Sequence, residues 1–295
     1  MDFGSVVPGS DGKKIFAVGT QRIGELVRYD VRTKQFVRYL SGLSADGLVY
    51  SPGLQFIAYT DFATGVLYRS LPDGSKPFQL TTPPLRAMAP RWSPDGKRIA
   101  FMGRSPGGRV KIYIVSSEGG TPEEVAAGES NLIAPTWSSD GRFLVFGFKS
   151  GSDTCKGDFL FQLDLQTRAL SRVDGSEGLH YAIWSPDGRY LAATCGSGIN
   201  LLNRTIHQWS LLSKQPSGDF TWSHDSEYLY VERGEEGIFC IRVRDGREEK
   251  VAETHGFQAA AGDFGIWLGL TPDNAPLLLR NLSSDRIYAL EWSAP

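Results

Sequence analysis

The sequence predicts an all-β fold, a seven-bladed β-propeller of four-stranded antiparallel blades, with six blades as the alternative. Three observations predict it. One turn motif recurs along the whole chain, each copy is followed by short β-rich runs split by further turns, and no long amphipathic helix pattern interrupts them.

The motif is clearest at Trp92-Ser93-Pro94-Asp95-Gly96-Lys97-Arg98-Ile99-Ala100-Phe101. It returns as Trp137-Ser138-Ser139-Asp140-Gly141, Trp184-Ser185-Pro186-Asp187-Gly188 and Trp222-Ser223-His224-Asp225-Ser226. Looser copies are Pro8-Gly9-Ser10-Asp11-Gly12, Tyr50-Ser51-Pro52-Gly53 and Leu270-Thr271-Pro272-Asp273-Asn274. With the Trp position as the mark, the copies fall at 8, 50, 92, 137, 184, 222 and 270, in steps of 42, 42, 45, 47, 38 and 48. Pro presets φ, Asp bonds back to nearby amides and Gly accepts a positive φ, so each copy is a tight turn. The Trp ends the innermost strand, where its ring packs between neighbouring blades.

Each unit then supplies its strands in order. The first runs through Glu25–Tyr29 to Phe36–Tyr39, and the second covers 46–82 with Gly53 where the turn Asp would stand. The third and fourth units, 87–127 and 132–174, carry the cleanest apolar runs, such as Ile112-Tyr113-Ile114-Val115 and Phe143-Leu144-Val145-Phe146. The fifth begins near His180 and the sixth at Asp219. The seventh has an inner strand near Ile266–Leu270, then Pro276–Leu279 and Arg286–Leu290. That leaves a three-stranded, incomplete last blade, whose closing strand is expected from residues upstream of Met1. Its exposed edge would permit an edge-mediated dimer.

Because the repeat runs end to end, the 295 residues are read as one domain, 1–295. The 34 glycines, 16 prolines and 12% aromatics suit a turn-rich β chain with ring surface for a core. No apolar run reaches the length of a membrane span, so no membrane insertion is expected. The net charge of −2, with Lys and Arg scattered singly, gives no footprint for nucleic acid. The N-terminus has no signal-peptide pattern. Three cysteines, Cys155, Cys195 and Cys240, form no Cys-x-x-Cys pair. Cys195 and Cys240 lie in strand-like runs and read as buried; Cys155 follows a polar loop and reads as exposed.

The repeated Trp-Ser-Pro-Asp-Gly-[Lys/Arg]-x-[Leu/Ile]-[Ala/Val] resembles the WD-like repeat of the TolB propeller family. Known TolB propellers have six blades, and the resemblance implies a bacterial module for protein contact. The ending Asp285-Arg286-Ile287-Tyr288-Ala289-Leu290-Glu291-Trp292 is similar to that of propellers fused behind winged-helix regions of bacterial regulators. That resemblance implies a sensory or interaction domain. The compartment is expected to be periplasmic behind an upstream membrane anchor, and cytoplasmic if the chain is complete as given.

No catalytic set is predicted. Asp95, Asp140, Asp187 and Asp225 occupy one turn per blade around a rim, as turn caps rather than paired catalytic carboxylates. The repeated serines are turn residues, and no Gly-x-Ser-x-Gly elbow occurs. Gly103-Arg104-Ser105-Pro106-Gly107-Gly108 is a strand connection without a following helix, hence no dinucleotide fingerprint and no cofactor. Of four histidines only His180 falls at the start of an inner strand, so no metal site is expected. Positions just before each mark lie on the opposite rim, the funnel face. They are Asp46, Arg86, Met88, Asn131, His180, Asp219 and Trp267, and they vary from blade to blade as a binding face can. The function expected is non-enzymatic: a protein, peptide or small ligand bound at the funnel. The rival is a propeller enzyme, a polysaccharide lyase or hydrolase acting in the central channel.

Overall fold

The computed structural model describes residues 2–10, 14–41, 43–126, 128, 130–149 and 155–291. The Asp11-Gly12 turn, the loop Ser150–Thr154 and Trp292 lie outside the described residues. The regular structure among them is β-strand, apart from one short 3₁₀ turn at Gly234–Glu236, and turns join the strands.

Six four-stranded antiparallel sheets make the blades. The first comprises Ala45–Tyr50, Ile57–Asp61, Leu67–Ser70 and Phe78–Gln79. The second comprises Arg86–Trp92, Arg98–Arg104, Lys111–Ser116 and Glu123–Ala126. The third comprises Asn131–Trp137, Phe143–Lys149, Phe159–Asp164 and Leu170–Arg172. The fourth comprises Tyr181–Trp184, Tyr190–Thr194, Ile199–Asn203 and Gln208–Ser213. The fifth comprises Phe220–Trp222, Tyr228–Glu232, Ile238–Arg242 and Glu248–Ala252.

The sixth blade is assembled from both ends of the chain. Gly269–Leu270 and Pro276–Asn281 pair onward with Gly24–Asp30 and Gln35–Arg38. The seam register sets Leu278 opposite Val27 and Leu279 opposite Leu26, all 0–1% exposed. Burial of these four side chains, at about 1.5–3 kcal/mol each, drives the closure.

This corrects the seven-blade expectation and the closing strand expected upstream of Met1. The strands read as parts of a first and a last unit share one blade, and the ring closes on residues 24–38. Asp2–Pro8, Lys14–Gln21 and Ser284–Glu291 form instead a separate three-stranded sheet. It exposes Val6, Val7, Ile287 and Leu290, and its two outer strands each keep an edge without a strand partner among the described residues. The unpaired edge expected at an incomplete blade therefore belongs to this flanking sheet.

The turn chemistry shows why six copies make blades and one does not. In each blade turn a buried hydroxyl, Ser51, Ser93, Ser138, Ser185, Ser223 or Thr271, accepts a backbone N–H four or five residues on, at 2.9–3.1 Å. From Ser93 onward each hydroxyl also donates to the turn Asp. The copy at Pro8 has Gly9 at the hydroxyl position, so it lacks the anchor and closes only the Asp2–Pro8 hairpin.

Indoles join consecutive blades. Trp92 Nε1 donates to the Val49 carbonyl at 3.2 Å, Trp137 to Arg91 at 3.0 Å and Trp222 to Ile183 at 3.0 Å. Trp184 is the exception. Its backbone N–H donates to Thr136 Oγ1 at 3.0 Å, and its buried Nε1 has no partner among the described residues.

Candidate functional site

The central channel opens at both faces. On the turn face, a cavity of about 630 Å³ is lined by Trp92, Trp137, Trp184 and Trp222 with Pro52, Pro94, Pro186 and Pro272. These side chains are the repeated framework, and three of the four indole N–H groups are committed to neighbouring blades. The opposite face holds a smaller cavity of about 260 Å³, whose lining changes from blade to blade. Trp267 lines both cavities and marks the waist between them.

Five of the seven funnel positions named from the sequence, Asp46, Met88, His180, Asp219 and Trp267, line this smaller cavity. Arg86 and Asn131 do not. The Arg86 guanidinium caps the carbonyls of Ala63 and Thr64 at 3.4 and 3.3 Å, and Asn131 Oδ1 accepts the Val110 N–H at 2.9 Å. Both side chains fasten loops between strands.

Asp219 sits at the head of the inner strand of the fifth blade. It accepts the Phe220 N–H at 2.9 Å, the Leu268 N–H at 2.9 Å and the Tyr181 hydroxyl. Burial nevertheless pushes its carboxyl above the ordinary range, against the pull of those donors and of Arg91. The Tyr181 hydroxyl, buried beside it, is held well above its usual pKa, by burial first and by Asp219 second. Asp46 lines the same cavity. Burial, then repulsion by Asp219, pushes its carboxyl up to about 6, with the Gly47 N–H opposing. Glu232 is a third raised acid, for which burial again leads. Asp46 and Asp219, in a cavity walled by Met88, Met102, Ile133 and Phe264, are thus raised chiefly by burial, which favours the neutral carboxyl; Glu232 lies outside that lining.

A two-stranded hairpin, Ala261–Gly262 with Gly265–Ile266, hangs over the mouth. Its Asp263 forms an ion pair with Arg104 of the second blade. Gly262 approaches Asp46 so closely that a Cβ there would lie 2.7 Å from the carboxylate oxygen. Sequence reasoning missed this hairpin and Tyr181. The signal for the hairpin was the final repeat step of 48, the longest of the six.

The cysteines also differ from expectation. Cys155 is 7% exposed, while Cys195 and Cys240 are half-buried. The backbone at Cys155 turns left-handed, with φ 55°, and its Sγ donates to the Cys195 carbonyl at 3.2 Å. His180 Nδ1 lies 2.8 Å from Asp158 Oδ2, and burial holds this imidazole below its ordinary pKa despite the carboxylate. Among the described residues, Cys155, Asp158 and His180 are the one group of three with metal-ligand spacing. Sequence reasoning read His180 in isolation and so missed it.

The TolB beta propeller domain model matches residues 47–217. A candidate TolB of Agrobacterium tumefaciens is similar in structure, with a TM-score of 0.67 at 17% identity over 89% of this chain and 99% of that one. An oligogalacturonate lyase in complex with manganese superposes with a TM-score of 0.62 at 13% identity, over 95% of this chain and 96% of that one. At such identities the likeness shows the fold alone. An uncharacterized peptidase, YuxL of Bacillus subtilis, is 41% identical over 54 residues, 18% of this chain and 8% of its own length. The chain thus matches only a small part of that relative. The repeated turn, the four-stranded blades and a family model covering more than half of the sequence agree, and the chain belongs to the TolB beta propeller domain family.

Proposed function

We propose that this domain is a non-enzymatic interaction module whose funnel face receives a protein or peptide segment carrying a cationic group. One observation carries the reading. Asp46 and Asp219, both half-buried, bring two raised carboxyls into the lining of one cavity with apolar walls. A lysine, an arginine or a free amino terminus entering there gains a charge-assisted hydrogen bond in a low-dielectric site. Its aliphatic stem would pack on Met88, Phe264 and Trp267. The funnel is too narrow for a folded surface, so the guest is a protruding segment.

Selection from a displayed random-peptide library against the immobilised domain tests this. The binders should be enriched in Lys, Arg or free amino termini, and Asp46→Asn should weaken them about 10-fold. Binders without cationic groups, or unaffected by Asp46→Asn and Asp219→Asn, would refute it.

The rival reading, a polysaccharide lyase or hydrolase working in the channel, draws on the same Asp46. A carboxyl near 6 lies in the range of a general acid. Turnover of a panel of acidic and neutral polysaccharides, abolished by Asp46→Asn, would favour the enzyme over the interaction module.

A further inference from the structure

We propose that Cys155, Asp158 and His180 form a binding site for a zinc-class divalent cation in the wall of the funnel. The ligand atoms of all three lie within 4.8 Å of one another, close enough for small side-chain rotations to reach the roughly 3.3–3.8 Å separations of a tetrahedral ion with bonds of about 2.0–2.3 Å. Thiolate, carboxylate and neutral imidazole together carry two negative charges and match one divalent cation. A thiolate favours Zn²⁺ over Mg²⁺ or Ca²⁺, which take oxygen ligands.

The site is built on the framework. Cys155 and Asp158 are 7% and 1% exposed and sit in one compact turn, closed by the Asp158 N–H donating to the Cys155 carbonyl at 3.1 Å. That turn leads into the strand Phe159–Asp164 of the third blade. His180 enters from the fourth blade, held by its N–H to the Thr194 carbonyl at 3.3 Å. Gly147 lets the two blades close here, since a Cβ at that position would lie 1.5 Å from the His180 carbonyl oxygen. The ligands therefore come from two segments, a turn leading into the third blade and the residue that opens the fourth.

Three protein ligands leave a fourth position for water or a ligand group. His180, Cys195 and Lys149 line the funnel, so the ion would lie at the cavity wall. This inference is independent of the cationic-guest reading: the metal binds whether or not a peptide does.

The test is a titration of the untagged, chelator-stripped, reduced domain with Co²⁺ under anaerobic conditions. One equivalent should bind, with a thiolate-to-cobalt charge-transfer band, and Zn²⁺ should displace it. Cys155→Ser should abolish the band, and His180→Ala and Asp158→Asn should each weaken binding at least about 10-fold. Cys195→Ser should keep the band. Thermal unfolding of each variant confirms that it is folded, and Asp158→Asn keeps the side-chain shape if Cys155→Ser does not fold. Absence of saturable binding in protein with all three thiols free would overturn the proposal. So would a band that survives Cys155→Ser, or one lost only in Cys195→Ser.

Discussion

The Arg280 guanidinium meets the Glu25 carboxylate at 2.8 Å, tying together strands 255 residues apart in the chain. Arg38 approaches the same carboxylate at 2.5 Å from the outermost strand of that blade. Glu25 is nearly buried between the two cations, at the seam where the ring closes.

Glu25→Gln should therefore weaken closure. It leaves Arg280 without its counter-ion, whereas the better-exposed Arg38 loses little. A loss of about 1–3 kcal/mol is expected in urea unfolding at neutral pH. An unchanged midpoint would remove the pair from the account of closure.

Trp137 and Trp184 should respond differently to the same substitution. Trp137→Phe removes the hydrogen bond to the Arg91 carbonyl of the neighbouring blade. Trp184→Phe removes an N–H that has no partner among the described residues. Trp137→Phe should cost about 1–2 kcal/mol more than Trp184→Phe, measured by chemical denaturation of both.

The blade turns hang on their hydroxyls. Ser138→Ala strips the Phe143 N–H of its acceptor at 2.9 Å, in a position 1% exposed at Ser138. About 1–3 kcal/mol of stability should be lost, with peptide binding at the far face unchanged.

These anchors explain what was legible in the sequence. Turn, strand and Trp follow one another locally, so propensity and spacing place them without the rest of the chain. Asp46, Met88, His180, Asp219 and Trp267 could be placed near the funnel because each sits at a short offset from a turn. Closure was not legible in this way. Leu278 chooses Val27 as its neighbour through burial across most of the chain, and the Gly9 copy looks like a blade turn until its missing hydroxyl is weighed. The burial of Cys155 depends on a left-handed backbone at a non-glycine residue, a conformation local propensity disfavours. Its meeting with His180 depends on two blades packing at Gly147.

Asp46 should give the fold a pH dependence. Its folded pKa of about 6 exceeds the ordinary 3.8, so the folded state holds this proton more tightly than the unfolded state. The contribution to stability is present in full below about pH 4 and is lost as pH rises through 6, amounting to roughly 2–3 kcal/mol. Asp46→Asn should match the wild type near pH 4, apart from a constant offset, and gain on it by that amount at pH 7.5. Parallel stability curves for the two proteins across this window would contradict the assignment.

Ionised Asp46 is the group proposed to hold the cationic guest in the funnel. Calorimetric titration tests it most directly, with a library-selected peptide whose only titrating side chain is a lysine, against the wild type and Asp46→Asn at pH 5 and pH 7.5. Wild-type binding should be about 10-fold tighter at pH 7.5, where Asp46 is ionised, and the variant should bind more weakly with little pH dependence. Equal affinity at both pH values, together with an unimpaired variant, would contradict it.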